Sequence, residues 1–250
     1  LYDKEKNMIP LLDTHMHLVY REKVSYGWTK DIPPLAKDNF LLEDYKSLTE
    51  GLGIGGSIFM ETAADEPCYQ EETRFVKSLA DDPNSGMCGL IASIRPEKDE
   101  GFDSWLNETI EIGVVGYRRI LHVVPDEMSQ SDTFRKNVRK IGIAGKPFDM
   151  CFLPGQLPVA LELAQTCDNT SLILNHCGVP NIAEDGLDPW RQDIKSLAQM
   201  QNVTCKLSGL MAYCAPGTSS LEKIEPYVDH VLKCFGPKRM VWGSDWPVVN

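Results

Sequence analysis

Eight short apolar runs, separated by longer amphipathic stretches, constrain this sequence more than any other feature. They are Ile9–His17, Ile54–Glu61, Met87–Ile94, Val114–Leu121, Phe148–Phe152, Ser171–His176, Val203–Ser208 and Arg239–Asp245. Each has strand length, and the segments between them carry helical spacing. Pro67–Leu79 places Phe75, Val76 and Leu79 on one face and opens with an acid-rich turn that suits the helix dipole. Leu157–Thr166 and Trp190–Met200 read the same way, and Glu222–Phe235 stops at Gly236-Pro237. Strands alternating with helices predict a parallel sheet. Eight of them in 250 residues predict an α/β fold, the (β/α)8 TIM barrel, which typically takes about 250 residues. An open doubly wound sheet is the alternative, weakened because no GxGxxG follows the first run. The GLGIGG segment, Gly51–Gly56, precedes a strand and reads as a helix-to-strand turn.

A single barrel over residues 1–250 is the expected domain organisation, without repeats or linkers. The sequence reaches Asn250 just after the eighth run, so the eighth helix is expected to be missing from the chain. The long irregular stretch Val19–Asn39, with Trp28, Pro33 and Pro34, is expected to lie as a functional loop over the barrel mouth. A formal charge of −11 argues against nucleic acid as a partner, because such binding neutralises phosphates with basic side chains. No apolar run reaches the roughly 20 residues of a membrane span, and no signal-peptide pattern opens the chain. Eight cysteines form no CxxC pair, and several sit in apolar runs, which points to free thiols in a reducing cytoplasm.

Alternation along a strand puts Asp13, His15 and His17 on one face, at the C-terminal end of the first run. In a barrel, that end builds the active site. Two imidazoles so close together suit a divalent metal such as zinc, although an isolated HxH more often marks strand-end histidines with ordinary hydrogen bonds. His176 ends the sixth run and Asp245 the eighth, so both reach the same mouth. Three histidines and an aspartate at these ends are hard to assign to packing, and they predict a metal site. Arg118 and Ile120 share a face of the fourth run with His122 beyond them, while Arg119 faces outward toward a salt bridge. Glu61 ends the second run facing the mouth. Lys206 or Ser208 could reach the mouth from the seventh run, Lys206 equally as a barrel ion-pair partner. Trp28 and Trp246 can stack on substrate or pack, and His230, within a helical pattern, reads as structural.

The segments DTHMHL, GYRRIL, NHCGVP, CKLSGL and VWGSDWPV, in this order, resemble the amidohydrolase superfamily. More narrowly they resemble the amidohydrolase-related branch that includes sugar-acid lactonases such as L-rhamnono- and L-fuconolactonases. The likeness covers essentially the whole chain, and HxH followed by NHCG and a terminal GSDWPV is specific. It implies a (β/α)8 barrel with His15 and His17 as the first-strand metal pair, His176 as the sixth-strand histidine and Asp245 as metal ligand and general base. It implies one divalent ion, zinc, because nothing replaces the bridging lysine of binuclear relatives; a metal-independent lactonase, with the histidines on substrate, is the alternative. The implied reaction is hydrolysis of a sugar-acid lactone by metal-activated water, with Arg118 and His122 steadying the oxyanion. Trp28, Glu61, Arg118 and Lys206 are the implied substrate-binding residues. No Gly-x-Ser-x-Gly elbow offers a serine nucleophile. The implied partner is a small-molecule lactone in carbohydrate metabolism, met by a monomer or homodimer. A metal-dependent decarboxylase with the same histidines and aspartate, and a non-catalytic sugar-acid-binding barrel, are the rival readings.

Overall fold

The computed structural model describes residues 9–249. Eight strands pair in chain order and in parallel: β1 (Leu11–Met16), β2 (Ile54–Met60), β3 (Met87–Ser93), β4 (Gly116–Ile120), β5 (Phe148–Cys151), β6 (Leu172–Leu174), β7 (Val203–Leu207) and β8 (Met240–Trp242). The first and last strands meet, which makes the sheet a barrel rather than an open layer. Thr14 Oγ1 donates to the Trp242 carbonyl at 2.7 Å. Past the strand ends, Asp245 N donates to His15 O at 2.7 Å and His17 N donates to Trp246 O at 2.8 Å.

Helices follow the strands: α1 (Leu42–Thr49), α2 (Tyr69–Ala80), α3 (Phe102–Glu111), α4 (Asp126–Gln130), α5 (Asp132–Ile143), α6 (Leu157–Thr166), α7 (Trp190–Leu197) and α8 (Leu221–Phe235). Among the described residues no helix follows β8, in line with the expectation that the eighth outer helix is missing. On that side β7, β8 and α8 leave an apolar groove lined by Leu207, Leu210, Ile224, Val228 and Trp242. The core lies between barrel and helices. Phe134 of α5 meets Phe148 of β5 edge-on, with ring centroids 6.0 Å apart, and both are fully buried. The Trp190 indole donates to the Cys177 carbonyl at 2.8 Å, tying α7 to the turn after β6. All eight cysteines are free. Among the described residues no helix is long and apolar enough to cross a membrane.

The structure corrects the simple alternation in β1. Asp13 lies opposite Ser57, but Met16 lies opposite Phe59, so β1 carries one residue more than its partner between these points. Such a bulge reverses the facing of everything beyond it. Asp13 therefore turns to the helix layer, where its Oδ2 accepts from the Tyr45 hydroxyl at 2.8 Å, while His15 and His17 face the barrel mouth. Asp13 is a clasp and not a member of the histidine group: its Oδ1 accepts from His15 N (3.0 Å) and from Ser244 N across the seam (2.9 Å).

Replacing Phe134 with Ala is expected to cost about 3–5 kcal/mol of stability, read as a lower midpoint in urea. Ile143→Ala, at a side chain 79% exposed on the same helix, should stay within about 0.5 kcal/mol of wild type.

Candidate active site

Four strand ends bring the reactive side chains together. From β1 come His15 and His17, whose Nε2 atoms are 3.1 Å apart. Asp245, beyond β8, sets its Oδ1 3.4 Å from each of them. These three atoms are a converging trio of buried donors. His17 Nδ1 donates to the Met60 carbonyl at 2.9 Å, which leaves its Nε2 lone pair for the trio. Metal bonds of 2.0–2.2 Å in tetrahedral array put neighbouring ligand atoms about 3.3 Å apart, so the trio has the spacing a zinc-sized divalent ion needs.

His176 stands beside the trio and not within it. The expected strand ends early, at Leu174, and the turn Asn175–Gly178 holds His176 in the left-handed region at φ 53°. Its ring centroid is 4.7 Å from that of His15, and its Nδ1 pairs with Ser208 Oγ at 2.9 Å and lies 3.9 Å from Asp245 Oδ2. Asp245 likewise lies past its strand, at φ 60°. Left-handed backbone at non-glycine residues is costly and persists where surrounding structure imposes it. Gly209, at φ 69°, makes room for both groups: a Cβ there would stand 2.7 Å from His176 Nδ1 and 2.9 Å from Asp245 Oδ2.

Burial and the surrounding charges keep His15 and His176 neutral. Burial, reinforced by Lys206, His176, His17 and Arg118, holds His15 well below its ordinary value. Burial likewise takes His176 down to about 4, against the pull of Asp245. Burial works to raise the Asp245 carboxyl, but His176, His17 and Arg118 outweigh it and hold it below the usual carboxylate range. At neutral pH the site therefore offers imidazole lone pairs and a carboxylate.

Arg118 projects inward from β4, as expected, and is bound to Glu61: Nε donates to Oε1 at 2.6 Å and Nη2 to the Glu61 carbonyl at 2.5 Å. Its Nη1 lies 3.3 Å from His15 Nε2. Arg119 makes the outward salt bridge, to Glu97 at 2.7 Å. His122 Nδ1 and the Cys151 sulfur are 3.3 Å apart. Burial pushes that thiol up to about 12, which leaves it an inert partner. Trp28, from the Val19–Asn39 stretch, lines the cavity and donates its indole N–H to the Thr62 carbonyl at 2.9 Å.

One expected binding residue, Lys206, does not reach the cavity, and Trp246, which could stack or pack, packs. Lys206 is sealed in the barrel interior, where Nζ donates to Asp149 Oδ1 at 2.6 Å and to the Thr14 carbonyl at 3.3 Å. There the Asp149 carboxylate offsets the cost of burying the ammonium, and Lys206 is turned away from the substrate cavity. Trp246 packs between Phe40 and Tyr45. His230, within α8, pairs with the Arg191 carbonyl at 2.8 Å, a structural contact. Sequence reasoning missed Ser93, Arg95 and Tyr213, which line the cavity with the others. Ser93 and Arg95 had a signal, since they stand two residues apart on either side of Ile94, where the third run ends.

The cavity holds about 530 Å³. A parallel barrel whose strand C-termini converge histidines and a carboxylate on such a mouth defines a (β/α)8 enzyme. Residues 12–250 match the amidohydrolase family, and the chain belongs to it. It is 28% identical to an L-fucono-1,5-lactonase of Burkholderia multivorans, over 95% of this chain and 82% of that protein. It is 26% identical to a 4-sulfomuconolactone hydrolase of Rhizobium radiobacter, over 94% of this chain and 75% of that protein. Among solved structures it resembles an amidohydrolase of Burkholderia multivorans with bound zinc, at 26% identity and a TM-score of 0.83, over 96% of this chain and 85% of that one.

Gly209→Ala is expected to displace His176 and Asp245 and to lower turnover about 100-fold, the usual cost of a 1 Å misplacement. Its melting temperature should fall by only a few degrees, since left-handed alanine costs about 1 kcal/mol. Melting curves and steady-state kinetics on the same preparation check both.

Proposed function

We propose that this chain hydrolyses a lactone, and that the lactone is an uncharged one formed from a sugar acid. The observation that carries the reading is the trio of His15 Nε2, His17 Nε2 and Asp245 Oδ1 at the floor of a cavity that also presents Arg118. Lactone-opening relatives of both neutral and anionic substrates support the reaction class. The cavity's own charge favours the neutral class. Each arginine that lines it already carries a carboxylate: Arg118 has Glu61, Arg119 has Glu97 and Arg95 has Glu66. A carboxylated or sulfonated lactone would meet, among the described residues of this wall, only arginines that already hold a carboxylate, whereas hydroxyl groups find the paired carboxylates and arginines as acceptors and donors.

His15, His17 and Asp245 would hold one divalent cation, and zinc suits two imidazoles and a carboxylate. When bound, it would supply Lewis acidity and a lower pKa for water. The protein's own groups do the rest. Asp245, ionised, accepts the proton of the attacking water as general base and returns it to the ring oxygen as the acyl–oxygen bond breaks. His176, its Nδ1 held by Ser208, packs beside the second oxygen of Asp245 and limits where that carboxylate can turn. Arg118, pinned by Glu61, holds a positive charge beside the carbonyl, and neutral His122 offers a hydrogen bond. Trp28 gives a flat apolar wall for a sugar face. The product is an open hydroxy acid.

The test is acid release from a panel of rhamnono-, fucono- and galactonolactones set against muconolactones and carboxylated aromatics. The neutral sugar lactones should turn over, and Asp245→Asn should lose about 10²–10⁴-fold in kcat while substrate binding persists. Release of carbon dioxide from an aromatic acid, with no lactone opened, would establish the decarboxylase instead. Metal analysis should find one divalent ion per chain, lost in His15→Ala. Full activity in a preparation shown to be metal-free would keep the hydrolysis and remove the cation.

A further inference from the structure

After β7 the chain turns at left-handed Gly209 into a short 3-10 turn, Leu210–Tyr213. That turn sets the Tyr213 ring edge-on to His176, with centroids 6.2 Å apart and planes at 77°. Tyr213 forms part of the cavity wall that includes His17, Arg118, His176 and Asp245. Its hydroxyl makes no hydrogen bond to any described residue, and unlike that of Tyr227 it is not a sealed, unpartnered atom. Burial, with the neighbouring Cys151 and Asp245, pushes the phenol above its ordinary value, so it carries its proton at any physiological pH.

The donors nearby are largely spent. Arg118 commits Nε and Nη2 to Glu61 and turns Nη1 to His15. His17 Nδ1 is held by Met60, and the Trp28 indole by Thr62. A tetrahedral oxyanion formed above Asp245 needs a directed donor, and a protonated phenol in a partly desolvated wall is a strong one.

We propose that Tyr213 is a catalytic residue of this hydrolysis: its hydroxyl donates a hydrogen bond to the lactone carbonyl oxygen as that oxygen gains charge. The assignment rests on the lactone reading. As water's oxygen bonds to the carbonyl carbon, its proton passes to Asp245 and the carbonyl π pair moves onto the oxygen that Tyr213 contacts. The pair returns as the bond from carbon to the ring oxygen breaks, and the ring oxygen takes the proton from Asp245. Tyr213 keeps its own proton throughout.

Tyr213→Phe keeps the ring against His176 and deletes only the hydroxyl. Its kcat should fall about 100-fold, the scale for one oxyanion donor, with KM within about twofold. Affinity for a cyclic phosphonate, a tetrahedral anionic mimic of the intermediate, should fall by a similar factor, and affinity for the hydroxy-acid product should hold. A merely structural tyrosine would instead move KM, product affinity and melting temperature together. Fluorotyrosine at position 213, which retains the hydroxyl, should keep kcat within about threefold and serves as the check if Tyr213→Phe does not fold. Unchanged kcat and phosphonate affinity in Tyr213→Phe would overturn the assignment while wild-type turnover leaves lactone hydrolysis standing. A wild-type enzyme that opens no lactone in the panel would overturn both.

Discussion

The site depends on the seam where β1 meets β8. The Asp245 amide bonds to the His15 carbonyl and the His17 amide to the Trp246 carbonyl, so the backbone itself sets the aspartate against the two histidines. Asp13 reinforces the join from the helix side through Ser244 N, His15 N and the Tyr45 hydroxyl. Gly243 permits it, because a Cβ there would meet the His15 Cβ at 2.4 Å. A barrel closed at that point brings residues more than 200 positions apart in the sequence into one trio of donors. The bulge in β1 belongs to the same device. It lets one strand supply a clasp to the helix layer and two imidazoles to the mouth within a few residues.

Buried charge is organised around this seam in two layers. At the mouth, Glu61 neutralises Arg118. Beneath it, Asp149 neutralises Lys206 and also accepts from the Asn175 amide at 2.6 Å. A buried ion pair is weak evidence for stability, since desolvation cancels much of the attraction. Its value here is electrostatic placement. Burial, reinforced by these cations, disfavours protonation of His15 and His176, and Arg118 helps favour the charged form of Asp245. The fold thus holds His15 and His176 neutral beside an ionised Asp245 at neutral pH.

Much of this architecture was legible in the sequence, for identifiable reasons. Apolar runs at strand length survive as strands wherever both faces are buried, so all eight appear in order. α6 matches its expected span because Leu157, Ala160, Leu163 and Ala164 recur at helical spacing on its buried face. α3 and α5 carried the same kind of pattern in Trp105 and Leu106, and in Phe134, Val138 and Ile141, and went unread among the polar residues around them. Parity failed at Asp13, because alternation cannot register a bulge that only the neighbouring strand imposes. Strand reading also ran too far at His176 and Asp245, which sit on left-handed turns beyond β6 and β8. Lys206 had the right strand and the wrong depth, and its partner Asp149 decides that depth. Tyr213 was invisible, since loop geometry after Gly209 sets its place and no periodicity encodes it.

The central claim is that this seam delivers water to the carbonyl carbon of a lactone. Turnover of a sugar lactone in ¹⁸O-labelled water tests it most directly. The account predicts one labelled oxygen in the carboxylate of the product and none in the hydroxyl released from the ring. Label in that hydroxyl, or an unlabelled product, would contradict it.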